Sequence, residues 1–339
     1  MLHSSRLKIP EAEHGKPCNA ERLRETEGCR SYRLRYPLTD LKRRLQFFCG
    51  CILSVLFFSF VMLACSFASA SDLPNHWVMF ADTHIPGEWD KTQGKDFHPN
   101  QQFAQARQEI LALADKPAGV MIVGDLVYLH GLEDDYKTLA MQLAPFDEAK
   151  IPVYLLPGNH DNEENFAKHL ERYSVKDSPV EGKQVRILET PNANWFLLDS
   201  LEKTNSTPGL LGEKQLAWLA KELDKRPDKP AILVAHHNLE AHEGSLADQD
   251  KLWEVILPRK QVKAYIYGHT HQYRDEVRDG VFLINLPAMG WRFDEKQPLG
   301  WTDVETLPDG IKLTLHTLDK AHPKNGDTRT FHWNSRDGK

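Results

Sequence analysis

Beyond residue 70, the chain alternates short apolar runs with stretches of helical periodicity. Seven of these runs are rich in β-branched and aromatic residues, which is typical of strands buried on both faces. The predicted strands are residues 77–82, 119–125, 151–159, 194–200, 231–237, 263–269 and 281–287. Apolar residues at i, i+3, i+4 and i+7 predict a helix over residues 213–224, and similar patterns predict helices over 101–114 and 162–172. Strands that alternate with helices indicate an α/β domain, which we place at residues 71–339.

An uncharged, largely apolar segment covers residues 45–71. A basic cluster precedes it and a small-x-small sequence closes it, and these are Lys42-Arg43-Arg44 and Ala68-Ser69-Ala70. This order predicts a secretory signal peptide at residues 41–70, with cleavage after Ala70. An uncleaved anchor, with membrane contact through residues 45–70, and a lipid-modified Cys65 are the alternatives. Each of them places the rest of the chain outside the cytoplasm, so we expect an exported protein, periplasmic or extracellular, or one anchored to the membrane.

Residues 1–40 are polar and lack a periodic pattern. They stand before a complete signal sequence, where a secretory protein needs no further residues. We interpret them as an uncharacterised extension or as the result of a mis-assigned start codon.

The charge balance differs between the two parts of the chain. The formal net charge is −6, with 42 Lys and Arg against 48 Asp and Glu. Residues 1–70 carry 11 basic and 6 acidic groups, so residues 71–339 carry 31 basic and 42 acidic groups, a net charge of −11. A body of this charge repels a polyphosphate backbone, and we expect no stable nucleic-acid partner. A small phosphate ester, drawn in by a bound metal, remains compatible with it.

All five cysteines precede residue 66. Disulfides, thiolate catalysis and zinc–cysteine sites are therefore excluded from residues 71–339. A body without cysteine suits an oxidising compartment.

Polar residues of similar kind follow five of the predicted strands. They stand in the sequences Asp82-Thr83-His84, Gly124-Asp125, Gly158-Asn159-His160-Asp161, His236-His237-Asn238 and Gly268-His269-Thr270-His271. Because the carboxyl ends of strands in an open α/β sheet meet at the ligand crevice, we expect these side chains to converge. Carboxylate, amide and imidazole groups suit divalent metals, and they are too many here for one tetrahedral ion. They suit two ions bridged by a carboxylate.

The order of these motifs resembles the calcineurin-like metallophosphoesterase superfamily, over about residues 75–275. The motifs D-x-H, G-D, G-N-H-D, a histidine after an apolar strand, and G-H-x-H carry the resemblance. Its cyclic-nucleotide phosphodiesterase-type and purple-acid-phosphatase-like members are the most similar. The resemblance implies a four-layer αββα sandwich of two mixed β-sheets flanked by helices. It also implies a binuclear centre of Fe, Mn, Zn or Co.

The resemblance further implies a role for each motif residue. The implied metal ligands are Asp82, His84 and His271 for the first ion, Asn159, His236 and His269 for the second, and Asp125 as the bridge. His160 would stand beside the leaving oxygen without binding metal, and Asp161 would orient His160.

Two departures from the family's pattern leave alternatives open. Many relatives have His-x-Pro where this chain has His236-His237-Asn238. We choose His236 as the ligand because it ends the strand and the next side chain points to the opposite face. Tyr128 stands three residues after Asp125, where purple acid phosphatases carry a tyrosine ligand. Since His84 already fills that coordination position, we interpret Tyr128 as a pocket-wall or core residue, with ligation as the alternative.

Residues outside the motifs have less support. Trp291 and Arg292 follow the last predicted strand and either line the pocket or pack at its edge. His98 and His130 fall in predicted loops near the metal edge, where a solvated histidine is the ordinary case and contact with substrate is the alternative.

These observations favour a metal-dependent hydrolase of small soluble phosphate esters, either monoesters or diesters. A nuclease or nucleotidase is one alternative, and the charge of the body argues against long nucleic acids as substrates. A non-enzymatic binding module on the same scaffold is another. Such modules lose ligands, whereas all seven implied ligands are present here.

Overall fold

The computed structural model describes residues 75–92, 97–240 and 244–333. The strands are β1 (His76–Phe80), β2 (Val120–Val123), β3 (Val153–Leu156), β4 (Arg186–Glu189), β5 (Asn194–Leu197), β6 (Ala231–Val234), β7 (Val262–Tyr267), β8 (Arg274–Arg278), β9 (Val281–Asn285), β10 (Gly300–Leu307), β11 (Gly310–Thr317) and β12 (Thr328–His332). The helices are α1 (Pro99–Leu111), α2 (Glu133–Glu148), α3 (Glu163–His169), α4 (Glu213–Asp224) and α5 (Gln249–Ile256).

These strands form two mixed sheets of six strands each. The first sheet has the order β12-β11-β10-β1-β2-β3, in which β1, β2 and β3 are parallel and β10 is antiparallel to β1. The second sheet has the order β4-β5-β6-β7-β9-β8, with β5, β6, β7 and β9 parallel and antiparallel strands at both edges. Each sheet therefore contains a parallel set whose carboxyl ends share one edge.

Three hydrophobic cores separate four layers. One core lies between the first sheet and the helices α1, α2 and α3, and Leu139 belongs to it. The central core joins the inner faces of the two sheets, where the rings of Trp77 and Trp195 are 5.8 Å apart. The third core lies between the second sheet and the helices α4 and α5, with Leu219 and Leu252. The order helix, sheet, sheet, helix confirms the expected αββα sandwich.

All seven predicted strands and all three predicted helices are present, mostly with shorter bounds. The apolar runs of the sequence do not predict β4, β8 or the antiparallel strands β10 to β12. In β10, the half-buried Asp303 and Glu305 alternate with buried residues, so this strand has no continuous apolar run. The helices α2 and α5 are not predicted by the sequence pattern either. The buried face of α2 includes Asp135, Thr138 and Gln142, which break its apolar stripe.

The extension at residues 1–40 and the predicted signal peptide at residues 41–70 lie outside the described residues. The described part of the chain contains no helix with the length and apolar character needed to cross a bilayer.

Candidate metal centre

Turns that follow five strands bring the motif residues together. The strands β1, β2 and β3 of the first sheet and β6 and β7 of the second sheet lead into these turns. Hydrogen bonds join the turns across the sheets: His236 Nδ1 donates to the carbonyl of Val123 at 3.0 Å, and the Asp82 carboxylate accepts from the His269 N–H at 3.1 Å. Six of the seven ligand candidates are buried, and they are Asp82, His84, Asp125, Asn159, His236 and His271. The seventh, His269, is half-buried.

Four of these residues form a first cluster, and they are Asp82, His84, Asp125 and His271. Each offers one ligand atom, and these atoms all lie within 4.8 Å of one another. The Nε2 atoms of His84 and His271 are 3.2 Å apart, and His271 Nε2 is 3.5 Å from Asp82 Oδ1. His84 Nε2 lies 3.8 Å from Asp125 Oδ2. The donors therefore face a common point.

Asp125, His236 and His269 form a second cluster within the same distance limit. His236 Nε2 lies 3.2 Å from Asp125 Oδ1 and 3.3 Å from Asn159 Oδ1, which adds an amide oxygen to this group. Asp125 belongs to both clusters. Its Oδ2 faces His84 and its Oδ1 faces His236, which is the arrangement that a bridging carboxylate requires.

Backbone carbonyls orient three of the imidazoles. His236 Nδ1 bonds to the carbonyl of Val123 at 3.0 Å, and His271 Nδ1 bonds to that of Trp291 at 2.8 Å. His160 Nδ1 is 2.9 Å from the carbonyl of Leu129. Because a carbonyl only accepts, each Nδ1 carries the hydrogen. In the neutral, metal-binding form of the two ligand candidates His236 and His271, the lone pair is therefore on Nε2, directed into the centre.

The backbone of these turns adopts left-handed conformations. Nine non-glycine residues in the described ranges have a positive φ, and seven of them lie in or beside the centre: Asp82, His84, Asp125, Leu129, Asn205, His269 and His271. Such a conformation costs a non-glycine residue about 1–3 kcal/mol, and it persists where the surrounding structure holds it. These turns aim the ligand side chains inward, and the two sheets hold the turns.

The glycines of two motifs allow the close approach of these turns. A Cβ on Gly124, whose φ is 77°, would lie 2.2 Å from His236 Nδ1. A Cβ on Gly158 would lie 2.1 Å from the backbone nitrogen of Asp125. Any larger residue at either position would therefore displace a ligand candidate.

Burial sets the protonation of three imidazoles. Burial lowers the pKa of His271 to about 4 and that of His269 to about 3. Burial also lowers the pKa of His84 well below its usual value. These imidazoles are therefore neutral at physiological pH, which is the form that binds metal.

The remaining ionisable groups carry the charge of the site. Burial and the neighbouring Asp125 raise the pKa of Asp82 to about 8. Although burial opposes it, attraction to Asp125 raises the pKa of His236 to about 9, and His236 in turn holds the pKa of Asp125 well below its usual value. In the metal-free protein, these protons offset the negative charge of the buried carboxylates, as bound cations would. The donor set, its burial and its neutral imidazoles fit divalent metal ions.

His160 lies beside both clusters. The backbone N–H of His160 donates to Asp125 Oδ1 at 2.9 Å, and the ring Nε2 of His160 lies 3.9 Å from Asp125 Oδ2. The ring centroid is 5.3 Å from that of His84. The side chain is 18% exposed, so its Nε2 side can meet a ligand that enters from solvent.

Asp161 was expected to orient His160, and its carboxylate contacts the turn that carries His160 and not the imidazole ring. Its carboxylate accepts from the N–H groups of Leu126 and Gly158, at 3.1 and 2.7 Å, and from the Tyr136 hydroxyl at 3.1 Å. The carbonyl of Leu129, and not Asp161, holds the ring of His160. Asp161 therefore ties the turn after β2 to the turn after β3. Sequence alone could not show this, because Leu126 and Tyr136 are distant from Asp161 in the chain.

The contacts of His237 and Tyr128 bear on the two alternatives left open by the sequence, namely which histidine is the ligand candidate and whether Tyr128 is one. His237 lies outside both clusters, and its Nδ1 is 2.8 Å from Ser200 Oγ. Tyr128 packs against Phe97, with ring centroids 5.3 Å apart, and Lys91 Nζ lies 4.2 Å from its ring. These are the contacts of a wall residue.

An aromatic pair, Trp291 and Phe293, borders the first cluster. The Trp291 ring is 5.9 Å from that of His84 and 4.7 Å from that of His271. Phe293 is 4.7 Å from His271 and 4.4 Å from Trp291. For Trp291 the sequence left open whether it lines the pocket or packs at its edge, whereas no motif distinguishes Phe293 from an ordinary surface residue.

A polar pair borders the other cluster. Asn205 N donates to the carbonyl of Asn159 at 2.5 Å, and the Asn205 amide lies 3.3 Å from Nδ1 of the exposed His130. His130 therefore lies at the rim, in contact with a residue far from it in sequence.

Known proteins share this sequence pattern and fold. A 3′,5′-cyclic adenosine monophosphate phosphodiesterase, CpdA of Haemophilus influenzae, is 30% identical over 236 residues, covering 65% of this chain and 81% of that protein. A probable glycerophosphodiester phosphodiesterase, GpdQ of Arcobacter nitrofigilis, is 29% identical over 229 residues, covering 62% and 77%.

Two solved structures share the fold at low sequence identity. A dimetal phosphatase from Danio rerio aligns with a TM-score of 0.60 at 14% identity, over 76% of this chain and 99% of that chain. A purple acid phosphatase from yellow lupin aligns with a TM-score of 0.52 at 16% identity, over 77% and 55%.

The sequence model of the calcineurin-like phosphoesterase family matches residues 78–273, which is more than half of the chain. The matched range contains all five turns of the centre. The chain therefore belongs to the calcineurin-like phosphoesterase family.

Proposed function

We propose that this protein is a binuclear metal-dependent phosphodiesterase that cleaves small soluble phosphodiesters. The observation that carries the proposal is the position of Asp125, whose two carboxylate oxygens face two separate groups of ligand atoms. In this proposal Asp82, His84 and His271 complete the first site. Asn159, His236 and His269 complete the second.

The residues of the chain position the reaction. Two bound cations would supply a water nucleophile of lowered pKa and neutralise charge on the phosphoryl oxygens. Asp125 holds the two sites together, and its own position is fixed by the N–H of His160 at 2.9 Å. Burial of the ligands excludes bulk water, which strengthens the electrostatic interactions in the site.

His160, when it carries a proton on both ring nitrogens, is the proposed proton donor from Nε2 to the leaving oxygen. Its Nδ1 is engaged by the carbonyl of Leu129, so Nε2 is the atom that faces the substrate side. A donor there supports an ester whose leaving group is a poor anion, such as an alkoxide. Asp161 acts only on position, through the turns that hold His160 and Asp125.

The relatives support diesters as the substrate class. The two reported above are named for a cyclic nucleotide and for glycerophosphodiesters, and both of these substrates are small diesters. The net charge of −11 over residues 71–339 argues against long nucleic acids.

The test is a substrate and metal screen on the purified protein. Metal-free protein is loaded with Mn²⁺, Fe²⁺, Zn²⁺ or Co²⁺ and assayed with bis(4-nitrophenyl) phosphate and 4-nitrophenyl phosphate. We expect two metals per chain and faster hydrolysis of the diester. One metal per chain would contradict the binuclear centre, and preference for the monoester would contradict the diesterase.

We also propose that the catalytic domain is exported. The basic cluster, the apolar segment and Ala68-Ser69-Ala70 support a cleaved signal peptide, and an uncleaved anchor would expose the same domain. Amino-terminal sequencing of the exported protein should begin at Ser71. Recovery of the active domain from the cytosol would contradict export.

A further inference from the structure

Trp291 and Phe293, here called the aromatic wall, lie in the loop between β9 and β10. Phe293 is 69% exposed, more than any other large apolar side chain in the described ranges. Its ring packs edge-on against Trp291 and tilts against the ring of His271. A phenylalanine exposed to this degree adds little to the stability of the fold, but it offers a free π surface beside the centre.

The wall is held in place by the centre itself. The carbonyl of Trp291 accepts from His271 Nδ1 at 2.8 Å, and the N–H of Gly290 donates to the carbonyl of Asp82 at 2.8 Å. A Cβ on Gly290 would lie 2.6 Å from the carbonyl oxygen of Thr83, so the loop packs closely on the turn after β1. The aromatic surface is therefore placed in advance, which lowers the entropy cost of binding a ligand.

The rim beside the second cluster has a different chemistry. There Asn205 and His130 present an amide and an imidazole, 3.3 Å apart. A ligand with an aromatic ring at one end and polar groups at the other would contact the aromatic wall with its ring and the rim of Asn205 and His130 with its polar groups. Flat aromatic rings stack on aromatic side chains, and every nucleobase has a face for this contact.

We propose that the aromatic wall binds the nucleobase of a nucleotide-type phosphate ester whose phosphate lies at the metal centre. The proposal rests on the phosphoesterase function proposed above and narrows its substrate class. Phe293 contacts the ring of His271, and the Nε2 of that ring belongs to the first cluster. The wall therefore lies directly against a ligand candidate of the first cluster, so a nucleotide can place its base on the wall and its phosphate at the centre. Phe293 is then a specificity-determining residue and takes no part in bond cleavage.

A matched pair of ligands tests the wall by binding alone. Adenosine 5′-monophosphate and ribose 5-phosphate carry the same phosphate and sugar and differ in the base. Calorimetry on the metal-loaded protein should give a Kd about tenfold lower for the nucleotide. In Phe293→Ala this ratio should fall to about twofold, with the affinity for ribose 5-phosphate unchanged. Trp291→Leu should act in the same direction and, because only the backbone of Trp291 bonds His271, should keep the metals.

Met141→Ala is the control, because Met141 is also an exposed apolar residue, at 64%, and lies on α2 away from the wall. Equal affinity for the two ligands in the wild type would overturn the proposal, and so would an unchanged ratio in Phe293→Ala. Hydrolysis of bis(4-nitrophenyl) phosphate by the same samples separates the two proposals. If the protein prefers the nucleotide but hydrolyses no ester, the proposed base-binding role of the aromatic wall is confirmed and the proposed phosphodiesterase function is wrong. If the protein hydrolyses esters but does not prefer the nucleotide, the phosphodiesterase function is retained and the base-binding role of the wall is wrong.

Discussion

The two clusters of the metal centre share Asp125 but differ in charge and in access. The first cluster contains two carboxylates, and its members are buried. The second has only the shared carboxylate, supplemented by the neutral amide of Asn159, and its member His269 is half-buried. Their borders differ too, because the wall of Trp291 and Phe293 adjoins the first cluster and the polar rim adjoins the second.

This difference in charge and access predicts that the two sites hold their metal ions with unequal affinity. Two buried carboxylates attract a cation more strongly than one, so the first site should retain its metal where the second site exchanges it. Asp125 couples the two sites, since a change at this residue reaches both.

The largest effect is expected for Asp125→Asn, which removes the feature that the clusters share. The variant lacks the bridging charge, so the second cluster retains no carboxylate. We expect less than one metal per chain and a loss of about a thousandfold or more in kcat/KM for bis(4-nitrophenyl) phosphate. Elemental analysis and kinetics on the same samples measure both.

Asp294→Asn, at an exposed position of the loop that carries the wall, is the matched control and should behave as the wild type. If Asp125→Asn kept two metals and most of its activity, the bridging assignment would be wrong.

The next effect concerns His160, which lies beside both clusters and belongs to neither. His160→Ala should keep both metals, because no ligand is removed. Its kcat should fall by about 10²–10⁴-fold for an alkyl ester and much less for a 4-nitrophenyl ester, whose leaving group departs without a proton. Rates for the two esters and metal analysis decide the matter. Equal losses on both esters would instead point to stabilisation of charge at phosphorus, and loss of a metal would make His160 a ligand.

A third prediction concerns pH and the metal-free protein. Each cluster holds a group of raised pKa, Asp82 at about 8 and His236 at about 9. Between pH 7 and pH 9 the folded state therefore binds more protons than the unfolded state, so stability is lost as pH rises through these values. The free energy of unfolding of the metal-free protein should fall by roughly 1–3 kcal/mol over this range.

Urea denaturation at several pH values measures this loss. The metal-loaded protein should show little of it, because cations replace the protons. Stability of the metal-free protein that rises from pH 7 to pH 9 would contradict the assignment of these two groups.

The smallest effect separates the affinities of the two sites. Titration of the metal-free protein with Mn²⁺ should show one site at least about tenfold tighter than the other. His269→Ala should retain the tight site, and His84→Ala should weaken it. If His84→Ala kept the tight phase and His269→Ala lost it, the order of the clusters would be reversed.

The sequence predicted the elements that lead into the centre better than the rest of the fold. Strands such as β2 and β6 are buried on both faces, so their residues form continuous apolar runs that end at the ligand candidates. The strands β10 to β12 form an antiparallel meander with alternating exposure, and their signal is weaker. The helix α2 was missed because polar side chains such as Gln142 are buried on its inner face, where hydrogen bonds satisfy them.

Within the centre, residue type and order were predictable but contacts were not. The spacing of the motifs indicated which residues converge, because chain direction and strand ends determine that. The partner of the His160 ring depended on the turn after β2, which brings the carbonyl of Leu129 to its Nδ1. Phe293 had no signal at all, since an exposed phenylalanine acquires meaning only from its neighbours Trp291 and His271.

The left-handed turns have a consequence for the choice of metal. Five of the seven ligand candidates hold a positive φ, and hydrogen bonds between the turns of the two sheets hold them in place. The spacing of the donor atoms is thus a property of the scaffold, unlike in small zinc domains that fold only around their ion. Ions of similar radius should then be interchangeable without refolding, and the metal found in the native protein should reflect its supply in the compartment where the protein matures. Growth on media with different trace metals should yield molecules of one shape and of different turnover.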